Sequence, residues 1–313
     1  MGLPTLLERR LVIVTGKGGV GKSTVTAALA LLAARAGKRV LVCEVNAQER
    51  IAPLLGAPPS GYATRQARPG VHTVNVTPAE AMREYGLQVL HFRTIYEAVF
   101  ENRVVRRFLR MIPSLPELVM LGKILNEVRA EEHERPRWDL VLVDAPATGH
   151  AVQLLRVPSA LVGTVPAGPL RRDAEWMEEL LVDPDRTAVA LVTLPEEMPV
   201  NEAIELDGQV RGELGMLRGA LFVNAMPDTR FSPEEAVRLA PLAAAAPPLG
   251  PAARAGRLYA IHAEQASRHL ARARAALDLP TCVLPLLAVP EWGLSAVEAI
   301  AAAIAAAPPG SAP

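Results

Sequence analysis

Aromatic residues are scarce in this chain: five Phe, four Tyr and three Trp among 313 residues, 4% of the total. A chain of this length still buries a large core. Half of its residues are hydrophobic, so that core must be built mostly from Ala, Val, Leu and Ile. Cysteine is nearly absent. The two present, Cys43 and Cys282, lie in apolar, strand-like runs, which predicts buried structural thiols and excludes a disulfide framework. Net charge is missing too, with 33 basic residues against 33 acidic ones. Such a balance gives no general attraction for nucleic acid or anionic lipid, so nucleic acid is not expected as a partner. No uncharged apolar run of ~18 or more residues is free of proline. Met1–Arg10 is not followed by a signal-peptide core, and a soluble cytoplasmic protein is the expectation.

What is present is concentrated near the N-terminus. Leu11-Val12-Ile13-Val14-Thr15 is an apolar, β-branched run, and Gly16-Lys17-Gly18-Gly19-Val20-Gly21-Lys22-Ser23-Thr24 follows it and leads into an Ala- and Leu-rich segment. The loop fits G-x-x-x-x-G-K-[ST], the phosphate-binding P-loop, in its strand-loop-helix context. The glycines let successive backbone N–H groups turn toward phosphate oxygens. The helix N-terminus behind them favours the same anion. On this reading Gly18, Gly19, Val20, Gly21, Lys22, Ser23 and Thr24 bind ATP, Lys22 reaches the β- and γ-phosphates, and the Ser23 hydroxyl ligates Mg²⁺. Lys17 makes the loop K-G-G-x-G-K-S, the deviant Walker A form. That form resembles the branch containing MinD, ParA, the nitrogenase iron protein and the ArsA-type ATPases. The resemblance implies that Lys17 crosses a dimer interface to the phosphates of the other subunit, much as an arginine finger does.

The rest of the chain reads as an α/β protein. Residues 11–15, 39–45, 71–76, 138–144, 187–194, 220–224 and 281–287 are expected strands. Helices are expected at 22–36, about 200–214, 258–277 and 295–307, and the first strand, helix and strand form a parallel βαβ unit. Ser232 with Glu235, and Ser295 with Glu298, have capping-box spacing. Residues 241–256 are rich in Pro, Ala and Gly and read as a surface loop. Apolar residues at mixed three- and four-residue spacing across 78–135 predict a helical insertion. The expected organisation is one P-loop NTPase domain over 1–307, a mostly parallel doubly wound sheet with helices on both faces, followed by a disordered tail at 308–313. Asp144 ends an apolar run and begins a Pro- and Gly-containing loop. A carboxylate at the C-terminal edge of a parallel strand is the Walker B arrangement, and assigns Asp144 to the Mg²⁺ shell.

With these segments together, the chain resembles the ArsA-type ATPases over nearly its whole length. The resemblance rests on G-K-G-G-V-G-K-S-T at 16–24, V-D-A-P-A-T-G-H at 143–150, L-L-R-V-P at 154–158, V-N at 223–224 and L-P-L-L at 284–287. It implies a switch II at Asp144, Thr148, Gly149 and His150 that senses the γ-phosphate. It implies also that Asn224 reads the adenine edge and that Pro285 and Leu286 lie near the purine. Two departures stand out. The family's switch I carries an Asp that positions the attacking water, whereas Asn46 occupies that place here. Asn orients water but takes no proton; phosphoryl transfer leans on positioning and charge, so slow turnover is expected rather than none. Glu44, two residues earlier and on the same strand face, is a candidate substitute. The second departure is that neither arsenite-binding cysteines nor a C-x-x-C zinc pair is present.

The leading functional expectation is a dimeric ATPase, catalytic through Lys17, Lys22, Asn46 and Asp144, that drives a conformational switch for a client protein or a membrane partner. A homodimer is expected, with a heterodimer of paralogous subunits as the alternative. A second reading is a nucleotide-locked module that hydrolyses little. A MinD- or ParA-like positioning protein is a third; the Ala-rich helix at 295–307 lacks the basic residues that would serve it. A GTPase would need an N-K-x-D base-reading motif, which is missing.

Overall fold

The computed structural model describes residues 3–90 and 114–307. Much of the expected insertion (91–113) and the expected disordered tail (308–313) fall outside these described residues. In chain order the elements are α1 (Leu3–Leu7), β1 (Leu11–Gly16), α2 (Lys22–Arg35), β2 (Val40–Val45), α3 (Ile51–Leu54), β3 (Arg65–Arg68), β4 (Val71–Val76) and α4 (Pro78–Leu90). After the undescribed segment come α5 (Leu115–Arg129), β5 (Glu131–Glu132), β6 (Arg135–Pro136), β7 (Leu140–Ala147), α6 (Thr148–Thr164), α7 (Pro169–Val182) and β8 (Thr187–Thr193). The last elements are α8 (Glu197–Gly212), β9 (Arg218–Met226), α9 (Pro233–Leu242), α10 (Leu249–Leu277), β10 (Thr281–Pro285) and α11 (Leu294–Ala306).

Eight strands form one sheet in the order β10-β9-β8-β1-β7-β2-β4-β3, parallel except where β3 joins β4 as an antiparallel edge. Strand β1 is central, between β7 and β8. The chain leaves β1 for β2, returns through β7 between them, and then passes to β8 on the other side. The crevice at the C-terminal ends of β1 and β7 is therefore the place where open α/β sheets hold ligands.

Both faces of the sheet are covered, which explains why its strands read as continuous apolar runs rather than alternating ones. Leu11, Ile13, Leu41, Cys43, Val141 and Val143 point to one side, into a core with α5, α6, α7 and α8. Val12, Val14, Val40, Val42, Leu140 and Leu142 point to the other, against α2 and α11. Cys43 and Cys282 are both buried, as expected. They sit in β2 and β10, with four strands between them.

Three local expectations are corrected. Residues 249–256 are not loop but the first two turns of α10. Pro248 stands at the N-cap and Pro251 in the first turn, where no intrahelical N–H is needed, so neither proline opposes the helix. The capping box at Ser232 and Glu235 is present, but Ser295 does not cap α11; its N-cap is Gly293, without a side-chain bond. Short β3, with the polar sequence Arg-Gln-Ala-Arg, carries no apolar pattern and was not anticipated.

A polar seam ties α4 and α5 to the sheet. Lys123 Nζ donates to Glu84 and to Glu127, each at 3.0 Å, and Trp138 Nε1 donates to Glu127 at 2.9 Å, just before β7 begins. Phe222 in β9 is the largest of the fully enclosed side chains among the described residues, with no exposed surface. Phe222→Ala should cost about 3–5 kcal/mol, read as a lower urea midpoint with unchanged m-value; a loss below ~1 kcal/mol would show that the sheet closes over the gap.

Candidate active site

The P-loop leaves β1 at Gly16, whose φ of 153° and whose close approach to the next strand exclude a side chain: a Cβ there would stand 2.1 Å from the Val192 carbonyl oxygen. The loop closes onto α2 at Gly21 (φ 92°), where a Cβ would lie 2.2 Å from Asn224 Nδ2. Asn224 ends up beneath the loop because β9 delivers it there, and its amide donates to the Val20 carbonyl oxygen at 2.9 Å. In this structure Asn224 braces the phosphate loop. Lys22 Nζ curls back to the carbonyl oxygens of Gly16 at 3.1 Å and Lys17 at 3.0 Å. Burial pulls its pKa down, and Arg50 adds to this, against the pull of Asp144.

Register brings the second half of the site up. Asp144 on β7 stands opposite Val14 of β1 on one side and Glu44 of β2 on the other. Its Oδ2 accepts from the Ser23 hydroxyl at 2.6 Å. Its Oδ1 is buried and receives no hydrogen bond among the described residues; the hydroxyl of neighbouring Thr26 donates to the Lys22 carbonyl at 2.9 Å. Burial raises the Asp144 pKa, against the Ser23 hydrogen bond, the nearby Lys22 and Arg50 charges and the proximity of the Thr26 hydroxyl. A buried carboxylate oxygen without a donor beside a serine hydroxyl is a hard-oxygen pair that fits Mg²⁺.

Switch I is arranged differently from the expectation. Glu44 is 1% exposed and accepts the backbone N–H groups of Arg50 at 2.6 Å and Ile51 at 3.3 Å, fixing the start of α3. Asn46 is exposed, and its φ of 45° ends the strand alternation. Glu44 and Asn46 therefore do not share a face, because the strand stops at Val45. The loop is held instead by Asn75, which exchanges two hydrogen bonds with the Ala47 backbone.

Lys17 is partly exposed but not free. Its ammonium pairs with Glu202 of α8, in the same chain. The other oxygen of Glu202 lies 3.5 Å from the hydroxyl of Thr148, the first residue of α6. Pro285 ends β10 beside Met226 of β9, and Leu286 follows, half exposed, with its N–H on the Met226 carbonyl at 2.8 Å. Three residues that no motif marked also reach the site: Glu202 through Lys17, and Arg50 and Trp292 through the cleft above Gly19, Lys22 and Ser23.

A family model described as anion-transporting ATPase matches residues 9–165, which include the P-loop and Asp144. The chain belongs to the ArsA-type ATPase family. ATPase BagA of Mycobacterium tuberculosis is 32% identical over 253 residues, covering 77% of this chain and 72% of that one. The arsenical pump-driving ATPase of Acidiphilium multivorum is 24% identical over 230 residues, covering 68% of this chain and 38% of that longer one. As an ArsA-type protein the chain is a nucleotide-binding P-loop NTPase with the mostly parallel sheet described above. Among the described residues no helix is long and apolar enough to cross a membrane.

Glu44 generates a pH prediction. Burial, and then the Asp144 charge, raise its pKa to about 7 from 4.5, against the two backbone hydrogen bonds. The folded chain therefore holds this proton more tightly than the unfolded chain, and the stabilisation is lost as pH rises from about 4.5 through about 7. Without nucleotide or Mg²⁺ the loss should be up to about 3 kcal/mol, measured from urea midpoints. Glu44→Gln should flatten that slope. A wild-type protein that gains stability over the same window would contradict the assignment.

Proposed function

We propose that the protein is a Mg-ATP-dependent ATPase of the cytoplasm that works as a dimer, and that its nucleotide state drives a conformational switch felt by a partner protein. The observation that carries the reading is the Ser23–Asp144 pair with its unpartnered inner oxygen, behind a P-loop already braced by Asn224. Ser23 and Asp144 would hold Mg²⁺, which supplies charge neutralisation across the β- and γ-phosphates. Gly18 to Thr24 would cradle the phosphates, and Lys22 would exchange its two carbonyl oxygens for phosphate oxygens. Pro285 and Leu286 would meet the base, and Asn224 would do so through its amide oxygen, its Nδ2 being held by Val20.

The switch reading draws on two connections. Glu202 touches both Lys17 of the P-loop and Thr148 of switch II, so a phosphate that attracts Lys17 also disturbs the start of α6. Trp138, at the foot of the strand that carries Asp144, is joined through Glu127 and Lys123 to α4 and α5. These helices belong to the insertion, about residues 78–135, that a partner would bind. For Lys17 to act on a second subunit it must leave Glu202. The two cysteines, about 24 Å apart at ~4.8 Å per strand spacing, do not converge on one metalloid ion, so arsenite is not the proposed ligand.

A second reading, a nucleotide-locked module or one half of a heterodimer, draws on switch I. Glu44 is committed to the α3 backbone and Asn46 carries no base. Steady-state ATP hydrolysis across a range of protein concentrations separates the two. The ATPase reading predicts specific activity that rises with concentration, is abolished by Lys22→Ala, and falls on the order of 10³-fold in Lys17→Ala, the scale of a trans-acting cation. Glu202→Gln should let ATP-dependent association occur at lower protein concentration. Tight Mg-ATP binding with no turnover at any concentration would favour the locked module. Lys17→Ala that changes neither association nor turnover would end the trans role.

A further inference from the structure

The cleft above the P-loop, about 420 Å³, has side chains that the reading above leaves unused, among them Arg50 and Trp292. Its floor is Gly19, Gly21, Lys22, Ser23 and Thr24. Glu49 and Arg50, with Pro53 and Leu54 of α3, stand on one side, and Trp292, from the loop between β10 and α11, completes the lining; the Glu49 carboxylate is committed to the backbone N–H groups of Ser60 and Gly61, the latter at 2.8 Å. We propose that Arg50 and Trp292 complete the nucleotide site, Arg50 as a second cation on the polyphosphate and Trp292 as the apolar wall for the nucleoside. This rests on the nucleotide-binding reading and names residues that no part of the P-loop motif supplies.

Arg50 is placed but not neutralised. Its backbone N–H is fixed on the Glu44 carboxylate at 2.6 Å, which sets its Cα at the lip of the cleft. Its side chain is exposed and makes no ion pair or hydrogen bond among the described residues. The Arg50 charge is felt by both Lys22 and Asp144, lowering the pKa of each. Two cations that repel each other across one cleft, at the N-terminus of a 14-residue helix, are relieved by an anion bound between them.

Trp292 is the odd member of a chain poor in aromatics. Trp138 is 4% exposed, and Trp176 is covered by the Arg129 guanidinium, 4.1 Å from its ring centre. Trp292 leaves 51% of its surface in water although it faces a cleft. A flat ligand against the indole removes that exposed area, and any base or ribose presents a suitable face. Trp292 would thus add affinity without choosing the base, leaving that choice to groups on β9 and β10.

The test is tryptophan emission during Mg-ADP titration, with equilibrium dialysis giving affinity independently. Wild type should show a saturable emission change. Trp292→Phe should lose that change, and each of Trp292→Leu and Arg50→Gln should bind Mg-ADP about tenfold more weakly. Arg50→Lys should recover most of the loss. Both side chains are exposed, so thermal midpoints of the free variants should match wild type. If wild type binds Mg-ADP and the leucine and glutamine variants bind it equally well, the proposal is overturned while nucleotide binding stands. If wild type binds neither Mg-ADP nor Mg-ATP by dialysis, the nucleotide reading fails and takes this proposal with it.

Discussion

The hydrogen bond from Ser23 to Asp144 is the point on which the site depends. It joins the first turn of α2 to the end of β7 across 121 residues of sequence, at 2.6 Å. It exists because β7 returns between β1 and β2 and aligns Asp144 with Val14, directly below the phosphate loop. A slip of one residue would send the Asp144 side chain to the opposite face, into the apolar core on α5 and α6. The continuous Val and Leu content of the three central strands, buried on both sides, holds that register.

Around this junction the charges are unequal in their freedom. Glu44 and Asp144 lie side by side on neighbouring strands, and burial raises the pKa of both. Lys22 is folded onto its own loop and Lys17 is held by Glu202. Both loop lysines are thus engaged with protein groups of the same chain. The same contacts connect the P-loop to α6 and α8.

The P-loop and the Asp144 strand end were legible in the sequence because each is a local signal: a loop whose glycines need positive φ, and an apolar run that stops at a carboxylate. The family resemblance read from those segments agrees with the family match over residues 9–165. Most strands were legible for the same reason, since a strand buried on both faces is a run of β-branched residues. Glu202 was not legible, because it lies 185 residues from Lys17 on a helix with no motif of its own. Arg50 and Trp292 were hidden likewise, brought to one cleft from loops at opposite ends of the chain. The start of α10 was misread from its prolines, which count as breakers in sequence but sit harmlessly in a first turn.

The measurement that tests the account most directly is calorimetric titration of ATP with and without Mg²⁺, on wild type and on Asp144→Asn. The Asp144 carboxylate in this account is a metal-holding group. Mg²⁺ should therefore tighten ATP binding to wild type by at least ~10-fold and do so far less in the variant, with metal-free binding nearly equal in the two. Equal Mg²⁺ enhancement in both proteins would contradict the account and remove Asp144 from the centre of the site.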